Sequence, residues 1–230
     1  MYRIFLLTFS LLSALSIYSQ DTLNRMDEKG RKQGFWRKQD SLGRKIYEGH
    51  FKDGFPAGEF RYYYTNGKLK TISVVSQHGK IAKTVSFFTN GRKMAEGSYL
   101  NEKKDSIWKF YREEDGLLIS EENYHAGKKN GISKTFSDEG KVLEVVNWVA
   151  GLRNGPWEQF YTDGKLRLRA GYLNDEKCGP FKTFAFSGQP MVTGTYTAGH
   201  MDGKWTYYDD KGKVTKREFY SNGILLKIEE

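Results

Sequence analysis

The sequence predicts an all-β fold, an elongated antiparallel sheet of about eight tandem β-hairpins with a 24-residue period. Three observations predict it. Glycines recur at a fixed interval, aromatic residues keep a fixed phase to them, and the segments between turns alternate polar with apolar residues.

The first element is a leader. Arg3 supplies a positive start, Ile4 to Tyr18 is an almost unbroken apolar run of 15 residues, and Ser19 is a small residue ahead of the polar Gln20-Asp21-Thr22. That order reads as a secretory signal peptide over residues 1–19. A membrane-spanning helix needs about 20 apolar residues, so an anchor fits less well. No cysteine follows the run, and nothing there supports lipid attachment. The mature chain, residues 20–230, is then a single repeat domain that is periplasmic, on the cell surface or released.

The repeat fills that domain. With the glycine before the first aromatic of each unit as the reference position, units begin at Gly34, Gly58, Ala82, Ser106, Gly131, Gly155, Gly179 and Gly203. The spacings are 24, 24, 24, 25, 24, 24 and 24. A second glycine follows nine residues later at Gly43, Gly67, Gly91, Gly140, Gly164, Gly188 and Gly212, and the fourth unit, one residue longer, places it at Gly116.

Aromatic residues obey the same frame. Two residues after the reference stand Trp36, Phe60, Trp108, Trp157, Phe181 and Trp205, with Thr84 and Ser133 as exceptions. Five residues after it stand Tyr63, Phe87, Tyr111, Phe136, Phe160, Phe184 and Tyr208, with Gln39 as the exception. About seventeen residues after it stand Phe51, Val75, Tyr99, Tyr124, Trp148, Tyr172, Tyr196 and Tyr220. These rings are assigned first to packing.

Each unit reads as two strands and two turns. The first strand is short and aromatic, as in Lys204 to Tyr208, and closes on turns such as Thr65-Asn66-Gly67 or Asp209 to Gly212, which supply the positive φ a hairpin needs. The second strand alternates, with Leu166, Leu168, Ala170 and Tyr172 on one side and Lys165, Arg167, Arg169 and Gly171 on the other. A second turn follows, as in Ala198 to Gly203. No segment after the leader shows a 3.6-residue apolar period, so the mature chain is expected to be free of helix. Rings at positions two and five have opposite parity, so either both sheet faces carry rings or a bulge re-aims one set. Asp27 to Gly30 resembles a turn ahead of a partial unit, and Ile224 to Glu230 is placed as a closing strand whose charges, Lys227, Glu229 and Glu230, blunt a sheet edge.

This frame, written out as Tyr196-x-x-Gly199-x-x-x-Gly203-x-Trp205-x-Tyr207-Tyr208-x-x-x-Gly212, resembles a MORN-type repeat. It is similar in particular to the bacterial variant in proteins labelled the YwqK antitoxin family. The resemblance covers roughly Asp27 to Gly223 and departs from the pattern at Ala82, Thr84 and Ser133. It implies stacked hairpins used for protein or membrane-lipid contact. The antitoxin label implies a cytoplasmic, toxin-neutralising role, whereas the leader reads as export.

Charge and chemistry narrow the function. The formal charge is +9, or +8 once Arg3 leaves with the leader, and no block of five like charges marks a polyanion arm. Cys178 is the single cysteine, so the chain has no internal disulfide framework, and no histidine recurs beside it as a nucleophile's base would. His50, His78, His125 and His200 lie at different repeat positions near turns and form no metal spacing. The clusters Glu113-Glu114-Asp115, Glu121-Glu122 and Asp209-Asp210 place neighbouring acids on opposite faces, which suits solvation better than acid–base work. The chain is therefore read as non-enzymatic and without a cofactor.

A basic stripe is the candidate ligand site, formed by Lys52, Lys103, Lys104, Lys128, Lys129, Arg153 and Lys177 if their turns align. The expected function is an exported scaffold holding a protein partner in the cell envelope. The alternative is a module for anionic glycans or lipid headgroups, with toxin neutralisation and cell-wall catalysis behind it. Nucleic acid is not an expected partner of an exported chain.

Overall fold

The computed structural model describes residues 23–230. The leader assigned to residues 1–19 lies outside them. The described chain is a continuous β-meander. Its strands are β1 (Arg25–Met26), β2 (Lys32–Gln39), β3 (Lys45–Lys52), β4 (Phe55–Tyr63), β5 (Leu69–Ser76), β6 (Ile81–Phe87), β7 (Lys93–Leu100), β8 (Lys103–Tyr111), β9 (Leu118–His125) and β10 (Lys128–Phe136). They continue as β11 (Val142–Val149), β12 (Leu152–Phe160), β13 (Leu166–Leu173), β14 (Glu176–Lys177), β15 (Gly179–Phe184), β16 (Pro190–Thr197), β17 (His200–Tyr208), β18 (Val214–Ser221) and β19 (Ile224–Glu229). Every pairing is antiparallel and joins strands adjacent in the chain, with β13 pairing both the short β14 and β15. The sheet is open, and each hairpin packs on its two neighbours, the quasi-one-dimensional arrangement of repeat proteins. The partial unit before Gly34 is β1, and the closing strand is β19.

The two turns of each unit are built differently. The first is a three-residue turn followed by a glycine bulge. In Asp40 to Arg44, the Gly43 N–H donates to Asp40 O and the Asp40 N–H to Arg44 O, both at 3.0 Å. The Asp40 carboxylate accepts from the Leu42 and Arg44 N–H groups as well. Hydrogen bonds from the Arg44 side chain and backbone hold that carboxyl below its ordinary range. The second turn is a two-residue loop with both φ positive, as at Asp53-Gly54, Ala126-Gly127, Ala150-Gly151, Ala198-Gly199 and Asn222-Gly223. These second turns also tie units together. The Gly54 N–H donates to Lys32 O, Gly127 to Lys104 O, Gly151 to Lys129 O, Gly199 to Lys177 O and Gly223 to Met201 O, at 2.8–3.0 Å.

Alanine carries a left-handed backbone at three of these loops, which costs an L-residue about 1–2 kcal/mol that asparagine partly avoids. Asn101, Asn174 and Asn222 already occupy the corresponding position. Ala150→Asn is therefore expected to raise the urea midpoint, by about 1 kcal/mol of stability. An unchanged or lowered midpoint would contradict the turn assignment.

The reference position itself is a bulge. Gly34, Gly58, Ser106, Gly131, Gly155, Gly179 and Gly203 all have positive φ. The third unit differs: Ala82 has no such φ, and β5 pairs with β6 without a register shift. Its preceding connection is correspondingly longer and contains a single 3-10 turn, Gln77–Gly79, and the described residues otherwise carry no helix, as the sequence predicts. The cause is local: without the bulge, β6 begins closer to Ala82, and the freed residues coil.

The parity question resolves in favour of rings on both faces. Phe60 contacts Tyr47, Phe51 and Tyr62 on one side of the sheet. Tyr63 donates instead to Glu48, which pairs across the strands with Arg61 on the other side. The better-buried side holds Phe60, Trp108, Ala170, Tyr172 and Trp205, all below 10% exposed, and is called the ring face below. A single sheet layer buries these side chains by laying them flat over neighbouring strands.

Candidate functional site: a ring face crossed by cations

The ring face is assembled from three positions of the repeat. In three units the ring two residues after the reference lies over a glycine fifteen positions into the preceding unit. A methyl group on Gly49 would come within 2.5 Å of Phe60, and one on Gly97 or Gly194 would strike Trp108 or Trp205 more closely still. The ring at position seventeen then meets it edge-on. Tyr99 and Trp108 have centroids 4.9 Å apart at 74°, and Tyr196 and Trp205 5.1 Å apart at 84°.

A cation two residues before the reference crosses these rings. Lys32 Nζ lies 4.7 and 4.6 Å from the centroids of Trp36 and Phe51. Lys104 Nζ lies 4.6, 4.7 and 4.9 Å from Trp108, Phe110 and Tyr124. Lys129 sits over Trp148 at 4.8 Å, Arg153 over Tyr172 at 4.1 Å, and Lys177 over Tyr196 at 4.9 Å. Cation–π attraction of this kind is worth about 0.5–2 kcal/mol and fixes a side chain that would otherwise be mobile. Burial holds the Lys104 ammonium below its ordinary pKa, against the opposing pull of Glu122.

The residues of the sequence-derived basic stripe therefore divide. Lys104, Lys129, Arg153 and Lys177 are half-buried and lie on the ring face, Lys129 also bonding Glu122 at 2.7 Å and Arg153 bonding Asp175 at 2.8 Å. Lys52, Lys103 and Lys128 stand exposed at the turn edge of the sheet. There the Lys103 and Lys128 stems pass near the turn glycines Gly127 and Gly151. Charge alone gives no sign of this division, which follows from alternation once the register is known.

The opposite face carries the position-five residues in polar company. Tyr63 donates to Glu48 and Tyr111 to Glu96, each pair fifteen residues apart. Burial first, and the Glu48 bond second, push the Tyr63 hydroxyl up to about 12. Tyrosine stands at position five opposite Glu48, Glu96 and Thr193, and Phe87 and Phe160 stand opposite Ile72 and Val145 in the same frame, whereas Phe136 and Phe184 stand opposite Glu121 and Arg169. The ion pairs Arg37–Glu48, Lys109–Glu121 and Arg169–Glu158 share this face. Glu121 and Glu122 do separate, one to each side.

The ring row is interrupted where sequence exceptions fall. At Ser133 the place of the missing ring is taken by Glu122, which accepts from Tyr124 Oη at 2.6 Å and from Lys129. At Thr84 it is left open. An open cleft of about 330 Å³ remains there, floored by Thr71, Ser73, Thr84 and Ser86, flanked by Tyr62 and Tyr99, and rimmed by Gly79, Ala82 and Glu102.

Among the described residues no group of three or more His, Cys, Asp or Glu side chains converges to hold a metal. The histidines are dispersed: His50 lies tilted against Phe35, His78 meets Phe55 edge-on, and His125 Nδ1 faces Asp105 at 3.3 Å. Cys178 is half-buried at the break between β14 and β15, its N–H donating to Gly171 O at 3.0 Å.

No curated protein matches the chain. Among solved structures, the crystal structure of TcdB2-TccC3-TEV is similar at 12% identity and a TM-score of 0.23, over 81% of this chain and 12% of that one. So remote a likeness says nothing of shape or role, and the chain spans about an eighth of that structure's chain. The model of the MORN repeat variant matches residues 57–74, 153–174 and 201–222. Those three segments share one phase of the 24-residue frame, and the same hairpin recurs between them: the chain is a MORN-type repeat protein.

Proposed function

We propose that this chain is an exported, non-catalytic scaffold whose ring face docks a protein partner in the cell envelope. The carrying observation is the lattice of half-buried cations laid across aromatic rings, from Lys32 through Lys104, Lys129 and Arg153 to Lys177. Rings and cations held in place lose little freedom when a partner arrives, and Trp, Tyr and Arg are enriched among the residues that dominate protein contact energies. Repetition at each hairpin suits an extended partner. The leader read in residues 1–19 supports the compartment.

The test compares baits in crosslinking pull-downs from the native envelope. Arg153→Ala with Lys177→Ala alters the ring face, and Ile107→Ser with Ile132→Ser alters the opposite face, where both isoleucines are exposed. One dominant protein, retained in high salt by the parent chain and the second bait but lost from the first, is expected. Recovery of glycan or lipid alone, released by salt, would overturn the reading in favour of an anionic-ligand site on Lys52, Lys103 and Lys128.

A further inference from the structure

We propose that the cleft in the third unit is a binding site for a neutral saccharide. Its shape arises from a paired departure from the repeat. Where three other units set a ring over glycine, this one sets Thr84 against Ser73, and the two hydroxyls bond each other at 3.0 Å. The next cross-strand pair, Thr71 and Ser86, does the same at 3.1 Å. Each hydroxyl has one donor and two acceptor sites, so two of the four donors and most of the acceptors remain for a ligand.

The walls are rigid. Tyr99 is braced from behind by Trp108 at 4.9 Å, and Tyr62 by Tyr47 and Phe60 at 6.0 and 6.4 Å. Tyr62 remains 36% exposed and so presents an accessible ring. The walls stand on β4 and β7, three strand spacings apart, or roughly 14 Å between backbones. A volume of about 330 Å³ falls at the lower end of small-ligand sites.

The lining selects the chemistry. Four hydroxyls on the floor disfavour a purely apolar ligand, which would leave their remaining donors and acceptors unfilled. Glu102 is the single charged side chain in the lining and has no cation beside it there, which disfavours an anion. A sugar ring supplies what remains: C–H faces for the tyrosines, and hydroxyl donors and acceptors for the floor and for Glu102. This site lies within the ring face but does not depend on the protein-docking proposal, because its ligand needs only residues 62–102.

The test is calorimetric titration of the mature chain with chitotetraose, maltotetraose and cellotetraose, and with sulfated heparin tetrasaccharide as an anionic control. Saturable binding of at least one neutral probe, insensitive to salt, is expected, with none for the control. Ser73→Gly with Thr84→Trp rebuilds the arrangement of Gly97 and Trp108, keeps the fold and abolishes binding by filling the cleft. Glu102→Gln leaves the shape intact and weakens binding by about tenfold, the effect of losing one charge-assisted hydrogen bond. No binding of any neutral probe, or binding that survives the filled cleft, would overturn the proposal. A failed pull-down for the ring face would leave these titrations unchanged.

Discussion

Trp108→Ala is expected to lower stability by about 3–5 kcal/mol, read from the urea midpoint. The indole is 3% exposed, donates from Nε1 to Ser98 O at 2.9 Å, and touches Tyr99, Phe110 and Lys104. Its removal opens a hole that neighbouring strands cannot close, since each is pinned by its own ladder. Because units couple mainly to their neighbours, the loss should also broaden the transition, as the fourth unit opens ahead of the rest. Trp36 pairs only with the partial unit and with β3, and it is half-buried, so the same substitution there should cost less. A loss below about 1 kcal/mol at Trp108 would contradict its place in the packing.

The second large effect comes from adding a single carbon. Gly194→Ala drives a methyl group into Trp205, a ring that is 2% exposed and packed against Phe181, Tyr196 and Tyr220. The ring cannot lift without leaving these contacts, and overpacking of this kind costs about 1–3 kcal/mol. The penalty is specific to the couple. Gly194→Ser combined with Trp205→Thr recreates the Ser73–Thr84 pair, so the double substitution should cost less than the sum of its parts. Thermal denaturation of the four proteins measures the coupling, and strict additivity would show that glycine and ring do not meet.

Much of this architecture was legible in the residues because glycine in a left-handed turn has few substitutes. The positions at Gly43, Gly67 or Gly164 therefore leave a compositional mark at every unit. The period, hairpins and turns followed from it. The faces did not. Rings at positions two and five were visible, but which side of the sheet each takes depends on the cross-strand register, and the composition of the turns does not state that register.

The glycine under three of the rings was missed for a related reason. Position fifteen reads Gly49, Ser73, Gly97, Glu122, Val146, Ala170, Gly194 and Glu218, which has no consensus by itself. Its signal is conditional: glycine precedes a bulky ring in the next unit, and Ser73 precedes Thr84. The same gap concealed the cleft, since Thr84 is marked as an exception while nothing local says that Ser73 faces it. Lysines two residues before the reference were counted with the turns because charge ordinarily seeks water. Their stems lie along the sheet and their ammonium groups over rings, a placement that only register reveals.

The two faces are proposed to differ in role, the ring face meeting a protein partner while the other meets solvent. Hydroxyl-radical footprinting of residues 20–230, alone and with a protein captured in the pull-down, tests this side chain by side chain. Protection of the half-buried Trp148 and Tyr196 is expected, with Phe35, Ile107 and Ile132 as reactive as in the free chain. Protection of Phe35, Ile107 and Ile132, with the ring face unchanged, would contradict that division of roles.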